Sequence, residues 1–165
     1  GLRALRMPPG RSRGFAFQRW PSFDRGLWRT VLDEVPAPRT VEPFLYGGDS
    51  DPAALRPATR AAEGAGLSKV MKLSQQRLED AAPPPGPPGV VLCNPPYGER
   101  LGDEAELGAL YRALGDTLKR RFTGYRAFVY TASLPLAKQI GLRPSARHVV
   151  FNGPLEGRLL RFDLY

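Results

Sequence analysis

Short apolar runs alternate with helical stretches along most of this chain, and that rhythm limits the possible folds more than any other property. Phe44-Leu45-Tyr46, closed by Gly47-Gly48, and then Ser68 to Leu73, Gly89 to Cys93 and Tyr125 to Thr131 read as strands. Between them, Asp51-Pro52 opens a helix with an acidic cap and a proline in its first turn. Glu104 to Phe122 carries Leu107, Leu110, Tyr111, Leu114 and Leu118 at helical spacing, a stripe that belongs to a core. Further helices are predicted from Pro21 through Val35, with Phe23, Leu27, Trp28, Val31 and Leu32 on one side, and from Leu134 to Ile140. His148 to Asn152 and Arg158 to Leu164 form a terminal antiparallel pair around Asn152-Gly153-Pro154. This βαβ order calls for an α/β fold with a mostly parallel sheet, helices on both faces and ligands at the carboxyl ends of the strands. Pro57 conflicts locally with the helix that contains it, Gly64 or Gly66 reads as that helix's end, and residues 83–88, rich in proline, form a stiff spacer.

One strand end carries chemistry. Asn94-Pro95-Pro96-Tyr97 follows Gly89-Val90-Val91-Leu92-Cys93 directly, and its two prolines forbid continuation of a ladder or the start of a helix. An exocyclic amine of a nucleobase is a poor nucleophile because its lone pair is delocalised into the ring. A site that alkylates it must accept hydrogen bonds from both N–H groups. The Asn94 carboxamide oxygen and the Pro95 carbonyl supply two neutral, fixed acceptors, so the work is done by alignment and no general base of shifted pKa is required. Tyr97 offers a flat face on which an extruded base stacks. The structural alternative is a proline-rich turn in which Tyr97 caps the core.

Gly47-Gly48-Asp49-Ser50-Asp51 ends the first strand with two acids. In a nucleotide-binding fold a carboxylate there accepts from both ribose hydroxyls of a cofactor. Asp49 suits that role, since Asp51 is needed as the helix cap. The alternative is that both acids serve only the positive end of the helix.

Composition narrows the function classes. A chain of 165 residues with 42% hydrophobic content supports one domain with a real core, and no apolar run approaches a membrane span, which reads as a cytoplasmic protein. The net charge of +8 favours a polyanionic partner, nucleic acid first. Basic residues gather at Arg3, Arg6, Arg11 and Arg13 in an N-terminal loop, and again at Lys119-Arg120-Arg121. Cys93 is the single cysteine and His148 the single histidine. A disulfide within the chain, a cysteine metal site and a histidine-based hydrolase are therefore all disfavoured, and no metal is expected.

From Phe15 to Tyr165 the chain resembles the methyltransferase domain of the bacterial 23S rRNA guanine-N2 methyltransferases, whose members carry a THUMP domain upstream. The resemblance rests on Phe17-Gln18-Arg19-Trp20 with Asp24 and Trp28, on Tyr46-Gly47-Gly48-Asp49-Ser50-Asp51, on Asn94-Pro95-Pro96-Tyr97-Gly98-Glu99-Arg100-Leu101, and on Asn152-Gly153-Pro154-Leu155-Glu156. It implies a single, partial, Rossmann-like class I methyltransferase domain over residues 1–165 that uses S-adenosyl-L-methionine to methylate the exocyclic amine of a guanine in 23S rRNA. Asn94, Pro95, Pro96 and Tyr97 are the implied catalytic residues, and Asp49, Ser50 and Asn94 the implied cofactor-binding ones. The same tetrapeptide occurs in adenine amino-methyltransferases, which is the alternative activity; an RNA-binding remnant without activity is another.

The family's first strand and its Gly-rich cofactor loop are expected just before residue 1. The missing strand would lie centrally, between the strands ending at Tyr46 and Cys93. The expectation is therefore a truncated domain with two uncovered strand edges, which either close on each other or take a second chain, and with poor cofactor affinity. After the second strand, where the family often shows an acid, Gln76 and Arg77 stand instead, so the adenine contact is unassigned.

Overall fold

The computed structural model describes residues 14–35, 45–97 and 104–165, and they fall into two compact units, Gly1–Gln75 and Gln76–Tyr165. Phe44, the basic stretch at Arg3 to Arg13 and Gly98 to Leu101 lie outside the described residues.

In the first unit, a 3-10 turn at Ala16–Arg19 precedes helix α1, Arg25–Asp33. The helix starts four residues later than Pro21 because Asp24 is the better cap: its Oδ1 accepts the N–H groups of Gly26 and Leu27 at 2.8 and 2.9 Å. Phe23 thus stands outside the helix, where it meets Phe17 and Trp28 in an aromatic group that also holds Phe15. Strand β1, Leu45–Asp49, pairs in parallel with β2, Met71–Gln75. Gly47 and Gly48 lie inside β1 and do not close it. Their partners are Leu73 and Ser74, and a pairing register of this kind is invisible to a local reading. The second strand likewise starts at Met71, because Val70 and Met71 donate backward to the Leu67 carbonyl and finish the turn that follows the helix.

That helix, α2, spans Pro52–Gly64 with Asp51 as its cap, and Pro57 is accommodated within it at an exposed position. Its end is a Schellman turn: Gly66 has a φ of 70°, its N–H donates to the Glu63 carbonyl, and the Leu67 N–H donates to the Ala62 carbonyl. Only Gly adopts that φ without strain.

The second unit holds a four-stranded sheet in the order β3-β4-β6-β5, formed by Val90–Cys93, Arg126–Thr131, Leu155–Asp163 and Ala146–Asn152. β3 and β4 are parallel, whereas β6 is antiparallel to both β4 and β5. The β5–β6 hairpin turns at Gly153, φ 60°, as the Asn-Gly pair predicts. Helix α3, Glu104–Arg121, places Leu107, Tyr111, Leu114 and Leu118 on the sheet, where Ala127, Val129, Leu160 and Phe162 receive them. Each such large apolar side chain contributes about 1.5–3 kcal/mol on full burial. Helix α4, Leu134–Gln139, approaches α3 so closely at Gly115 that a Cβ there would overlap the Ile140 carbonyl.

β1 belongs to the two-stranded sheet of the first unit and β3 to the four-stranded sheet of the second. Leu45, Tyr46, Val90 and Leu92 on these strands are all exposed, Leu92 to 73%. Among the described residues, no helix is long and apolar enough to cross a membrane.

Candidate nucleobase amine site

The motif stands at the carboxyl end of β3, an edge strand in the described sheet. Cys93, its last residue, lies beside Val129 of β4, so Asn94 leaves the sheet next to Tyr130. Asn94 is exposed, whereas Pro95, Pro96 and Tyr97 are half-buried. That division suits the residue types. The carboxamide is free to accept from a ligand, and the two prolines hold the chain on its course without needing ladder donors.

Tyr97 is anchored from behind. It packs against the buried core and meets the Tyr130 ring edge-on, with centroids 5.6 Å apart and planes at 74°. Tyr130 occupies its place because residue 157 is glycine: a Cβ on Gly157 would overlap the phenol end of that ring. The Tyr130 hydroxyl oxygen is shielded from solvent and makes no well-formed hydrogen bond among the described residues, the Tyr97 side chain being near enough only for a weak one. Burial, and then the neighbouring Tyr97, push its pKa up.

Below this pair lies a closed polar contact. The Tyr111 hydroxyl and Thr131 Oγ1 are 2.8 Å apart, and Thr131 Oγ1 also accepts the Ser133 N–H at 3.1 Å, which ties α3, the end of β4 and the start of α4 together. Burial raises the Tyr111 pKa, the Thr131 contact opposes it, and Cys93 and Tyr97 nearby add to the rise. The Cys93 thiol is pushed up to about 11 by burial, so it is protonated near neutral pH and inert as a nucleophile. His148 is exposed on β5.

The acids of the first unit take distinct positions at the carboxyl end of β1. Asp51 Oδ1 accepts the Ala53 N–H at 2.7 Å and serves as the cap of α2. Asp49 Oδ1 accepts the Asp51 N–H at 2.8 Å. The Ser50 carbonyl accepts from Gln75 Nε2 at 3.2 Å, which pins the loop to the end of β2. Asp49 is exposed and aimed by this turn, with Oδ2 left without a hydrogen bond or ion pair among the described residues. Arg77 pairs with Glu79 at 3.5 Å, and the Glu79 carboxyl is held low by a backbone hydrogen bond first and by Arg77 second.

The structure therefore brings Asn94, Pro95, Pro96 and Tyr97 together with Tyr130, and separately groups Asp49, Ser50, Asp51 and Gln75. Tyr130, Gly157 and Thr131 were not singled out from the sequence. The available signal was positional: Tyr130 lies one residue past the partner of Cys93 on the neighbouring parallel strand, where a ligand-facing residue is expected. The Lys119-Arg120-Arg121 cluster takes a structural place at the end of α3, where cations complement the helix dipole, and Arg120 pairs with Asp116 at 2.8 Å.

Comparison with known proteins adds to this geometry. The family UPF0020, described as RMKL-like, methyltransferase domain, matches residues 1–161. Protein slr0064 of Synechocystis sp. is 43% identical over 169 residues, covering 100% of this chain and 44% of its own length. The Hahella chejuensis protein named ribosomal RNA large subunit methyltransferase K/L is 40% identical over 170 residues, covering 98% of this chain and 24% of its own length. Among solved structures, the crystal structure of SMU.472 complexed with SAH has a TM-score of 0.86 at 30% identity, covering 99% of this chain and 44% of that one. The chain thus spans less than half the length of each of these proteins.

Proposed function

Because the chain belongs to the RMKL-like methyltransferase domain family UPF0020, we propose that it carries the amine-holding part of an S-adenosyl-L-methionine-dependent enzyme that methylates N2 of a guanine in 23S rRNA. The observation that carries this reading is the exposed Asn94 carboxamide beside the Pro95 carbonyl at the end of β3, with Tyr97 braced behind them. Asn94 Oδ1 and the Pro95 carbonyl accept the two N–H groups of the base amine, and Tyr97 stacks on the base.

When bound, S-adenosyl-L-methionine supplies an electrophilic methyl group. With that group bound, Asn94 and the Pro95 carbonyl would hold the amine in line with the methyl group and leave its surplus proton free to pass to solvent. The residues of this chain lower the barrier by alignment and by stabilising positive charge growing on the nitrogen. In this reading Asp49 and Ser50, with Asp49 Oδ2 available, would accept from the cofactor ribose, and Asn94 would contact the cofactor as well. The net charge of +8 fits an RNA partner held through its phosphates. A Gly-rich loop and a THUMP domain upstream in the same cytoplasmic polypeptide complete this reading.

The test is the nucleoside content of large-subunit rRNA from cells lacking the gene that encodes this chain. Loss of one N2-methylguanosine, restored by the wild-type gene and not by Asn94→Ala, is the expected result. Loss of an N6-methyladenosine instead would assign the activity to adenine. Unchanged rRNA would leave the RNA-binding remnant.

A further inference from the structure

A shielded hydroxyl without a partner is unusual in a native fold, because the group gives up water and gains nothing in return. Among the described residues Tyr130 carries such a hydroxyl directly behind Tyr97, with no more than a poorly formed contact to the Tyr97 side chain, while the neighbouring tyrosine Tyr111 has its own satisfied by Thr131. Phenylalanine would fill the same space on β4 without that penalty. The space itself is specifically cleared, since any side chain at Gly157 would overlap the phenol end of Tyr130. Two features of two strands therefore combine to keep a shielded hydroxyl without a good partner, and such a group in a native fold calls for a functional explanation.

We infer that Tyr130 is a positioning residue for the nucleobase: its ring fixes the plane of Tyr97, and its hydroxyl makes a well-formed hydrogen bond only when a target base is stacked there. The Tyr97 ring must shift slightly to accept a base, and that shift exposes the Tyr130 oxygen to a partner on Tyr97 or on the base. The bound state thereby gains a well-formed hydrogen bond in place of the poor contact of the free state. Its effect falls on the RNA step and not on the cofactor step. This inference rests on the methyl-transfer reading above.

The experiment is steady-state methylation of protein-free 23S rRNA by the intact gene product, alongside thermal unfolding and S-adenosylhomocysteine binding. Tyr130→Phe is expected to lower kcat/KM for RNA about 10-fold, the size of one lost hydrogen bond. Its affinity for S-adenosylhomocysteine should stay unchanged, and its melting temperature should be equal or about 2–4 °C higher, because a penalty has been removed. Tyr130→Phe with kcat/KM within two-fold of wild type would overturn the inference, as would a melting temperature that falls in step with activity. Gly157→Ala, which displaces the ring and keeps the hydroxyl, should lose activity as well, and wild-type activity there would contradict the role of the ring. Should Gly157→Ala fail to fold, Tyr130→Phe still decides. Asn94→Ala is the control: full activity in that variant would sink the methyl-transfer reading itself, whereas an inactive Asn94→Ala beside an unaffected Tyr130→Phe would sink only the role of Tyr130.

Discussion

The two units of this protein hold their candidate residues in different ways. The Asn94 motif leaves a four-stranded sheet whose buried cluster is drawn entirely from the same unit, from Leu107 to Leu164. Asp49 ends one strand of a two-stranded parallel pair, and the buried residues of its unit are Ala62 and Leu67 among those described. A parallel pair normally has both faces covered, and two strands alone are marginal in water. The proposed amine acceptors are thus held by a core of their own unit. The acid that would grip a cofactor depends on local turns and capping hydrogen bonds, and its order should respond to what binds it.

The contrast is broken most directly at the motif. Asn94→Ala should reduce methyl transfer about 100- to 1000-fold, the scale of losing one preorganised acceptor or donor at a reacting centre, while circular dichroism melting stays within about 2 °C of wild type. A melting temperature that drops instead would mean that Asn94 supports the fold. Cys93 gives the next largest effect. At pH 9 about half of an ordinary thiol is ionised, but only about 1% of one with a pKa near 11, so alkylation of the folded protein should run ~50-fold slower than that of the urea-unfolded protein. The sign for stability follows: the raised folded pKa makes this contribution complete below pH 9, and it is lost as pH rises from 9 through 11.

Paired glycine substitutions compare the units in free energy. Gly115→Ala forces a Cβ into the Ile140 carbonyl and should cost about 3 kcal/mol in urea unfolding, at the upper end for overpacking. Gly47→Ala meets only the end of the Leu73 side chain and should cost less than about 1 kcal/mol. Equal costs would show that the first unit is packed as firmly as the second. At the proposed cofactor acid, Asp49→Asn should weaken S-adenosylhomocysteine binding about 10-fold by calorimetry, the worth of one charge-assisted hydrogen bond, without moving the melting temperature.

What the sequence disclosed was local. Asp51 as a cap, the α3 stripe apart from Leu110, which is only half-buried, the strand before Asn94 and the hairpin turn at Gly153 each depend on neighbours within one or two turns of chain, and the structure has them. The family resemblance likewise rested on contiguous motifs. What stayed hidden was set across strands. Gly47 and Gly48 looked like a stop because a turn glycine and a strand glycine are identical until the register opposite Leu73 and Ser74 is known. The helix read from Pro21 starts instead at Arg25, because the hydrogen bonds by which Asp24 caps it are seen only in three dimensions. Tyr130 and Gly157 are 27 positions apart in the numbering and have meaning only as a pair.

β6 follows β5 in the chain but lies between β4 and β5 in the sheet. During synthesis β4 therefore waits with its edge open until residues up to Asp163 have emerged, and the glycine that makes room for Tyr130 arrives with them. A ribosome that has already released the motif has not yet made the surface behind it. Pairings between such distant segments form slowly and leave an intermediate prone to association. A premature stop between Asn152 and Gly157 would spare every residue of the Asn-Pro-Pro-Tyr motif and still leave it on an unfinished support.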